Sequence, residues 1–354
     1  MIRALIRDAA IVGICLVLLE GAMRAWAPRY GRSIYDHGLT GGYPIALNAE
    51  GMRGAALLSV RQPDEIRVLA LGDSVTYGTG VAVTDAWPAQ LGAEATSLRG
   101  APVHVLNTGA PATDLRQITK WLRESGVGSQ ADAAAIVLTG NMVSLSWIRS
   151  DQAASLPLRP RARASVPLSA TGKARVTIKR ALLGLHSRVL FESLMDRGLY
   201  RIGLHDHAVS PAEPYGVLLA HGWRQLTLDP SIAEEAWVRF EADLADLKAA
   251  ADDQSVALVA SYSLPSFALG GSVVRNPKAV PLLRLSIDPE DRAQRACQRV
   301  GIPFVAASHV LRSQPRDDEV YLLMDYTHLS PRGHALLGRA LARDLLAQLN
   351  ERTQ

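Results

Sequence analysis

The chain has 354 residues, a formal net charge of +4, 48% hydrophobic residues and 20% charged residues. This length allows one large α/β domain with insertions or two ordinary domains, and the composition excludes a disordered chain, a collagen-like repeat and a coiled coil. The only two cysteines, Cys15 and Cys297, exclude a disulfide scaffold and a cysteine-based zinc site. The mildly basic charge, without interleaved basic and aromatic residues, does not indicate a nucleic-acid partner.

The N-terminal segment has the pattern of an export signal. Arg3 and Arg7 precede an uncharged apolar run over residues 9–19. A helix over residues 9–27 would rise about 28 Å, close to the thickness of a bilayer core. We therefore predict a membrane anchor within residues 1–30, with the rest of the protein on the extracytoplasmic side. A cleaved signal followed by secretion and a buried amphipathic helix are the alternatives.

The following residues predict a lead-in and then an α/β domain. Residues 31–64 are polar and rich in glycine, whereas residues 65–350 alternate short apolar runs with amphipathic segments, which is typical of βαβ units and a parallel sheet. The predicted strands cover residues 65–71, 103–106, 133–138, 256–261 and 303–306. The predicted helices cover residues 85–98, 114–124, 232–251 and 291–300, and a last helix begins near Pro331.

Residues 150–230 interrupt this alternation and are interpreted as an insertion. Between residues 152 and 191 there are eight basic residues and no acidic one, and a helix is predicted near residues 176–199. A basic stretch is usually a solvated surface, and the functional alternative is contact with anionic lipid head groups or an acidic glycan. His205 and His207 also lie here, but no third residue has a spacing that favours a metal site.

Ser74 follows the first predicted strand, in the sequence Gly72-Asp73-Ser74. Ligands bind at the carboxyl ends of the strands in an open parallel sheet, and Gly72 allows the sharp turn that would present Ser74 there. The structural alternative is an N-cap at the start of a helix. The context differs from the Gly-x-Ser-x-Gly turn of α/β-hydrolases, because Thr76 stands at the last glycine position.

A second motif, Asp325-Tyr326-Thr327-His328, precedes the last predicted helix. A hydroxyl needs a base to act as a nucleophile, and the usual base, histidine, needs a carboxylate to orient it. An aspartate and a histidine three residues apart in a turn can meet this need, while a capping pair is the structural alternative. His334, on the last helix, is interpreted as a structural residue.

Acyl transfer also needs hydrogen-bond donors for the oxyanion that forms on the substrate. Asn141, just after the third predicted strand, can offer its side-chain amide. The turn over residues 107–113 can offer backbone N–H groups, as can Ser74 itself. Taken alone, Asn141 would be a loop or capping residue.

These motifs together resemble the SGNH (GDSL-type) hydrolase family, over residues 65–145 and 320–349 and in the family's block order. The resemblance implies a flavodoxin-like three-layer α/β/α fold with a parallel sheet, and hydrolysis of esters or related acyl bonds. The sequence Asn-Ala-Glu-Gly-Met-Arg-Gly at residues 48–54, together with the apolar N-terminus, also resembles membrane-anchored bacterial members.

The family resemblance assigns roles to five residues. Ser74 would be the nucleophile, His328 the base and Asp325 the acid that orients it. Ser74, Ala112 and Asn141 would form the oxyanion hole. No metal or cofactor is expected for this chemistry.

Two blocks depart from the family pattern. Ala112 stands where the family usually has a glycine, five residues after the asparagine of the second block. The third block is usually Gly-x-Asn-Asp, whereas this chain has Thr139-Gly140-Asn141-Met142. We take Asn141 as the family asparagine, with Thr139 at the glycine position, and a shift by one residue is the alternative.

The leading prediction is a membrane-anchored serine ester hydrolase of the esterase, lipase or deacetylase type. Its substrate would be a small-molecule, lipid or glycan ester, and its membrane contact would be the N-terminal segment. The altered second and third blocks leave two alternatives open. One is an O-acyltransferase of cell-envelope glycans, and the other is a non-catalytic envelope protein that retains the fold.

Overall fold

The computed structural model describes residues 2–26, 35–36, 39–40, 43–48, 51–56, 60–148, 230–264, 289–312, 320–322 and 327–353. The predicted insertion lies outside this part of the chain as far as residue 229, together with its predicted helix, His205 and His207. Asp325 of the Asp-x-x-His motif also lies outside it.

The N-terminal segment forms helix α1 (Ile2–Trp26), in agreement with the helix predicted there. Among the described residues, no helix has both the length and the apolar character that crossing a membrane requires. The membrane anchor predicted from the sequence is therefore not supported.

Three short strands lie in the predicted lead-in. They are β1 (Tyr35–Asp36), β2 (Leu39–Thr40) and β3 (Tyr43–Pro44), and they pair antiparallel in chain order. These strands were not predicted, because a two-residue strand is too short to show a hydrophobic alternation.

A parallel five-stranded sheet forms the centre of the domain. Its strands are β4 (Ile66–Gly72), β5 (Val103–Asn107), β6 (Ala133–Thr139), β7 (Ala257–Ser263) and β8 (Phe304–Val305). Their spatial order is β5-β4-β6-β7-β8, which is the flavodoxin-like order. After β4 the chain first adds β5 on one side and then β6 on the other, so the strand order reverses between β4 and β6. Ligands are expected in the crevice at the carboxyl ends of these two strands.

Helices cover both faces of this sheet. They are α2 (Ser74–Tyr77), α3 (Trp87–Arg99), α4 (Leu115–Glu124), α5 (Gly140–Ile148), α6 (Pro230–Asp253), α7 (Pro289–Arg299), α8 (Ala307–Arg312) and α9 (Pro331–Thr353). Helices α3, α8 and α9 pack on one face, and α4, α5, α6 and α7 pack on the other. The predicted three-layer α/β/α arrangement is confirmed.

Strands β4, β6 and β7 are buried at nearly every position and rich in apolar residues, because helices cover both faces of the sheet. Strand β6 is buried at every position, and alternate residues contribute to the two separate hydrophobic cores. Leu69 on β4 pairs with Leu106 on β5 and with Ala134 on β6, which aligns the ends of the three strands. This register places residues 73–74, 108–110 and 140–141 at one edge of the sheet.

Candidate active site

Ser74 lies in a sharp turn at the end of β4, which we call the serine turn (residues 72–78). Gly72 has a φ of +150°, and a Cβ there would come within 2.0 Å of Thr76 Oγ1, so only glycine fits. Ser74 begins the single-turn helix α2, and only 7% of its surface is exposed. The sequence and the packing thus present one hydroxyl at the sheet edge that the strand order favours for ligands.

Asp73 caps this short helix from a fully buried position. Its Oδ1 accepts a hydrogen bond from the Val75 N–H at 3.0 Å, and its Oδ2 accepts one from the Thr139 hydroxyl at 2.6 Å. Burial raises the pKa of Asp73 above its usual value, and the hydrogen bonds from Thr139 and Val75 lower it in part. Asp73 therefore joins the end of β4 to the end of β6 directly behind Ser74.

Arg53 supports the other end of the serine turn. Its side chain is 1% exposed, and its guanidinium donates hydrogen bonds to the carbonyl groups of Tyr77, Gly78 and Val81. The guanidinium carbon also lies 5.1 Å from the centroid of the Tyr77 ring, which adds a cation–π contact. The lead-in of the chain, which contains Arg53, is thus attached to the turn that carries Ser74.

His328 reaches the same edge from near the C-terminus. Its Nε2 lies 2.9 Å from Ser74 Oγ, although the two residues are 254 positions apart in the sequence. The imidazole is half-buried. This contact is the pairing of a hydroxyl with a base that the two sequence motifs predicted.

Backbone pairing holds the His328 segment in place. Tyr321 and Leu329 form an antiparallel bridge, and the Leu322 N–H donates to the His328 carbonyl at 2.9 Å. The Tyr321 hydroxyl donates to the carbonyl of Leu264, at the end of β7, at 2.5 Å. The segment that carries the imidazole is therefore fixed to the central sheet.

The loop after β5, residues 107–113, packs directly against the serine turn. The Ala110 N–H donates to the Gly72 carbonyl at 3.2 Å, and a Cβ on Gly109 would lie 2.3 Å from the Tyr77 nitrogen. Glycine at position 109 is therefore required by this close approach. Ala112, in the same loop, has a φ of +57°, a left-handed conformation that is uncommon for alanine.

Asn141 lies in the first turn of α5, which begins at Gly140 directly after β6. Asn141 is half-buried at the sheet edge and follows β6, the neighbour of the strand that Ser74 follows. Met142, which stands where the resembled family has aspartate, is fully buried in the hydrophobic core between the sheet and α6. A carboxylate at this position would be desolvated by the same core.

We call residues 107–113 and 140–142 the donor side, because they hold the candidate oxyanion donors Ala112 and Asn141. The structure places both segments at the sheet edge that carries Ser74. The third part of the predicted site, Asp325, lies outside the described residues.

His334 has a structural environment, as predicted. It is fully buried, and its Nδ1 accepts a hydrogen bond from the Trp87 N–H at 3.2 Å. Burial, together with the charges of His328 and Arg53, lowers the pKa of His334 to about 3. This imidazole is therefore neutral and acts as a hydrogen-bond acceptor between α9 and α3.

In the described part of the chain, no group of three or more His, Cys, Asp or Glu side chains could hold a metal ion. Cys297 is buried in the core on α7, and burial raises the pKa of its thiol to about 12. Such a thiol stays protonated and is a poor nucleophile. Among the described residues, Ser74 and His328 are the candidate nucleophile and base that lie within hydrogen-bond distance of each other.

Three residues of this region were missed by the sequence analysis. The lead-in motif that contains Arg53 was noted without a role, and Asp73 and Tyr321 were given none. Arg53 and Tyr321 bind backbone carbonyl groups distant in the sequence, and such contacts leave no pattern of paired residue types. The contact of Asp73 with the Thr139 hydroxyl joins two residues that are 66 positions apart, and it likewise leaves no local pattern.

None of the family models and none of the curated proteins compared with the chain matches it. Solved structures similar to it include a lipase/acylhydrolase from Enterococcus faecalis, with 12% identity, a TM-score of 0.41, and coverage of 80% of this chain and 96% of the other. An acetylxylan esterase from Geobacillus stearothermophilus has 12% identity, a TM-score of 0.42, and coverage of 79% and 94%. An alpha/beta hydrolase from the metagenome of Lake Arreo, Spain, has 14% identity, a TM-score of 0.41, and coverage of 78% and 94%. At this level of similarity, the chemistry has to be inferred from the side chains of the site.

Proposed function

We propose that the protein is a serine ester hydrolase, with Ser74 as the nucleophile and His328 as its general base. The observation that carries this proposal is the distance of 2.9 Å between Ser74 Oγ and His328 Nε2. A serine hydroxyl is a weak nucleophile unless a base within hydrogen-bond reach removes its proton. Ser74 also follows β4, next to the point where the strand order reverses. Ligands bind at this point in open parallel sheets, so a substrate can approach Ser74 there.

The reaction would follow the two steps of acyl transfer. Ser74 Oγ attacks the carbonyl carbon of the ester, and its proton passes to His328 Nε2. The bond to the alcohol then breaks, and the imidazolium returns the proton to the leaving oxygen. A water molecule attacks the acyl-enzyme and gives its proton to Nε2, after which Ser74 recovers that proton and the carboxylic acid leaves.

The donor side would stabilise the oxyanion in both steps. We propose the backbone N–H groups of Ser74 and Ala112 and the side-chain amide of Asn141 as the donors, since all three residues lie at the same sheet edge. Asp325, three residues before His328, would orient the imidazole and stabilise its charged form, as in other serine hydrolases. Small esters, lipid esters and acylated glycans are the substrate classes that this chemistry serves.

Chromogenic esters with short and long acyl chains test the proposal. The wild-type protein should release the chromophore, and Ser74→Ala should reduce kcat by about 10³-fold or more. The matched control is Ser261→Ala, which removes a buried hydroxyl that donates to the Val305 carbonyl on β8. Equal rates for wild type and Ser74→Ala would reject the nucleophile.

The same assay separates hydrolysis from the alternatives. With a glycan acceptor present, an acyltransferase would form acylated glycan in place of free acid. A non-catalytic protein would release no chromophore and would not be labelled at Ser74 by a fluorophosphonate probe. We expect free acid as the main product and covalent labelling of Ser74.

We also propose that the site faces the extracytoplasmic side, on the strength of the basic residues Arg3 and Arg7 before the apolar run of α1. The test is a fusion of alkaline phosphatase to the chain after Gln354. Alkaline phosphatase needs disulfide bonds, so in a bacterial host it is active only outside the cytoplasm. We expect an active fusion, and an inactive one after deletion of residues 2–26. A fluorescent GFP fusion together with an inactive phosphatase fusion would contradict this location.

A further inference from the structure

Thr139 and Asp73 form a buried polar pair directly behind Ser74. Thr139 is 2% exposed and Asp73 is fully buried. The Thr139 hydroxyl donates to Asp73 Oδ2 at 2.6 Å, a distance typical of a hydrogen bond to an ionised carboxylate. The other carboxylate oxygen accepts the Val75 N–H, so both oxygens of Asp73 are used.

This pair does more than cap a helix. The capping contact needs only Oδ1, whereas the contact with Thr139 uses Oδ2 and comes from the end of the neighbouring strand β6. The Thr139 hydroxyl provides a second strong hydrogen bond to a carboxylate that has no exposure to water.

Both oxygens of Asp73 accept hydrogen bonds, and such bonds favour the ionised carboxylate. Burial acts in the opposite direction and raises the pKa of Asp73, while the hydrogen bonds from Thr139 and the Val75 N–H and the charge of His328 lower it in part. Asp73 is also the neighbour of Ser74 in the chain, and Ser74 Oγ contacts the imidazole of His328 at 2.9 Å. The charges of Asp73 and His328 therefore interact.

We propose that Thr139 and Asp73 are a positioning pair, in which the Thr139 hydroxyl keeps Asp73 ionised and the negative charge of Asp73 stabilises the imidazolium form of His328. This inference rests on the proposed function, in which His328 gains a proton as Ser74 attacks. Asp73 then supplements the orienting carboxylate at position 325. Opposite charges attract each other more strongly where the protein excludes water than they do in water.

Other ionisable groups lie near this imidazole. The charges of His328 and Arg53 both lower the pKa of His334 on α9. Asp325 precedes His328 by three positions in the sequence. The pair therefore has to be tested by removing one hydroxyl while these groups stay in place.

Thr139→Val removes the hydroxyl and keeps the shape of a β-branched side chain. In ¹⁵N-histidine-labelled protein, with the His328 signal assigned by His328→Gln, the titration midpoint of His328 should move to lower pH in Thr139→Val. Thr139→Ser should restore the wild-type midpoint. Thr119→Val, which removes a buried hydroxyl that donates to the Leu115 carbonyl on α4, is the control and should not move it.

Kinetics provide the second readout. The acid limb of the kcat/KM profile should move to lower pH in Thr139→Val, and kcat/KM at its optimum should fall roughly tenfold to a hundredfold. A merely structural role of Thr139 would lower the rate without moving the acid limb or the NMR midpoint, and that result would overturn the inference.

If Thr139→Val does not fold, Asp73→Asn tests the same inference. The asparagine can still accept the Val75 N–H and contact Thr139, but it carries no charge, so the His328 midpoint should again move to lower pH. The NMR titration needs no turnover. Absent ester hydrolysis in the wild type would therefore reject the proposed function, whereas an unmoved His328 midpoint in Asp73→Asn would reject the inference.

Discussion

The serine turn and the donor side lie at one edge of the sheet, but they keep their conformations by different means. The serine turn retains the Gly-Asp-Ser sequence and is held by side chains from outside, mainly Arg53 and Thr139. On the donor side, Ala112 adopts a left-handed conformation that a glycine would favour, and Met142 packs into the hydrophobic core. The comparison indicates that the donor side depends on backbone conformation more than on residue type.

Among the variants that test this comparison, the largest effect should come from Asn141, which we propose as the side-chain donor to the oxyanion. Asn141→Ala should lower kcat by about 10²- to 10³-fold, equivalent to about 3 kcal/mol or more in transition-state stabilisation, with little change in KM. The measurement is the steady-state hydrolysis of a chromogenic ester. If Asn141→Ala keeps the wild-type kcat, then only backbone N–H groups stabilise the oxyanion, and the donor side does not depend on the side chain at position 141. Asn350→Ala, on the exposed side of α9, is the control.

The second prediction concerns the side chains that hold the serine turn. Arg53→Leu leaves three buried carbonyl groups without their guanidinium donor, and each such loss costs about 1 kcal/mol or more. We expect the free energy of unfolding to fall by about 3 kcal/mol, as measured by urea denaturation.

Arg239→Leu is the matched control for Arg53→Leu. Arg239 forms an exposed ion pair with Glu235 on α6, and such surface pairs contribute little to stability. Equal losses for the two variants would mean that Arg53 does not hold the serine turn, and the contrast between the two regions would disappear.

The sequence predicted the main strands and most helices because buried parallel strands are continuous apolar runs between turn residues. Helix α5 was missed because it begins at Gly140, directly after β6, without a polar segment that separates the two. Gly140 and Asn141 have the composition of a turn. The short strands β1–β3 show the same limit, since local composition does not determine which strands pair.

The site was predictable to the extent that its residues occur in local motifs. Ser74 and His328 each stand in a recognisable motif, and their meeting follows from the order of the parallel strands. The roles of Arg53 and Asp73 depend on which backbone carbonyl or hydroxyl lies beside them in space. That information is set by the packing of the turn and not by the spacing of residues in the chain.

The third prediction is a pH dependence set by His334, which lies behind the serine turn and whose pKa is lowered in part by Arg53. The pKa of His334 is about 3 in the folded protein and about 6.5 in the unfolded chain, so the unfolded chain binds the proton more readily. The stability due to neutral His334 is complete above about pH 6.5 and is lost as the pH falls towards 3, by about 1.4 kcal/mol per pH unit.

Urea denaturation between neutral and weakly acidic pH measures this dependence. His334→Asn can still accept the Trp87 N–H but does not titrate, so its unfolding free energy should fall less steeply than that of the wild type. His309→Asn controls for the loss of an exposed imidazole. Identical slopes for wild type and His334→Asn would show that this imidazole is protonated inside the fold.

The smallest predicted effect has the opposite sign and addresses the donor side directly. Ala112→Gly removes the cost of a left-handed alanine, about 1 to 2 kcal/mol, and adds backbone entropy to the unfolded chain, which costs about 0.4 to 1 kcal/mol. The free energy of unfolding should therefore rise by up to about 1 kcal/mol, while kcat stays close to that of the wild type because the N–H group is retained.

Ser255→Gly provides the matched control, since Ser255 also has a positive φ, of +60°, and lies in the turn between α6 and β7. Similar gains in the two variants would show that both residues tolerate an unfavourable conformation that the fold imposes. If Ala112→Gly instead lowers both stability and kcat, then the alanine methyl group itself holds the donor loop, and residue type matters on the donor side as much as it does in the serine turn.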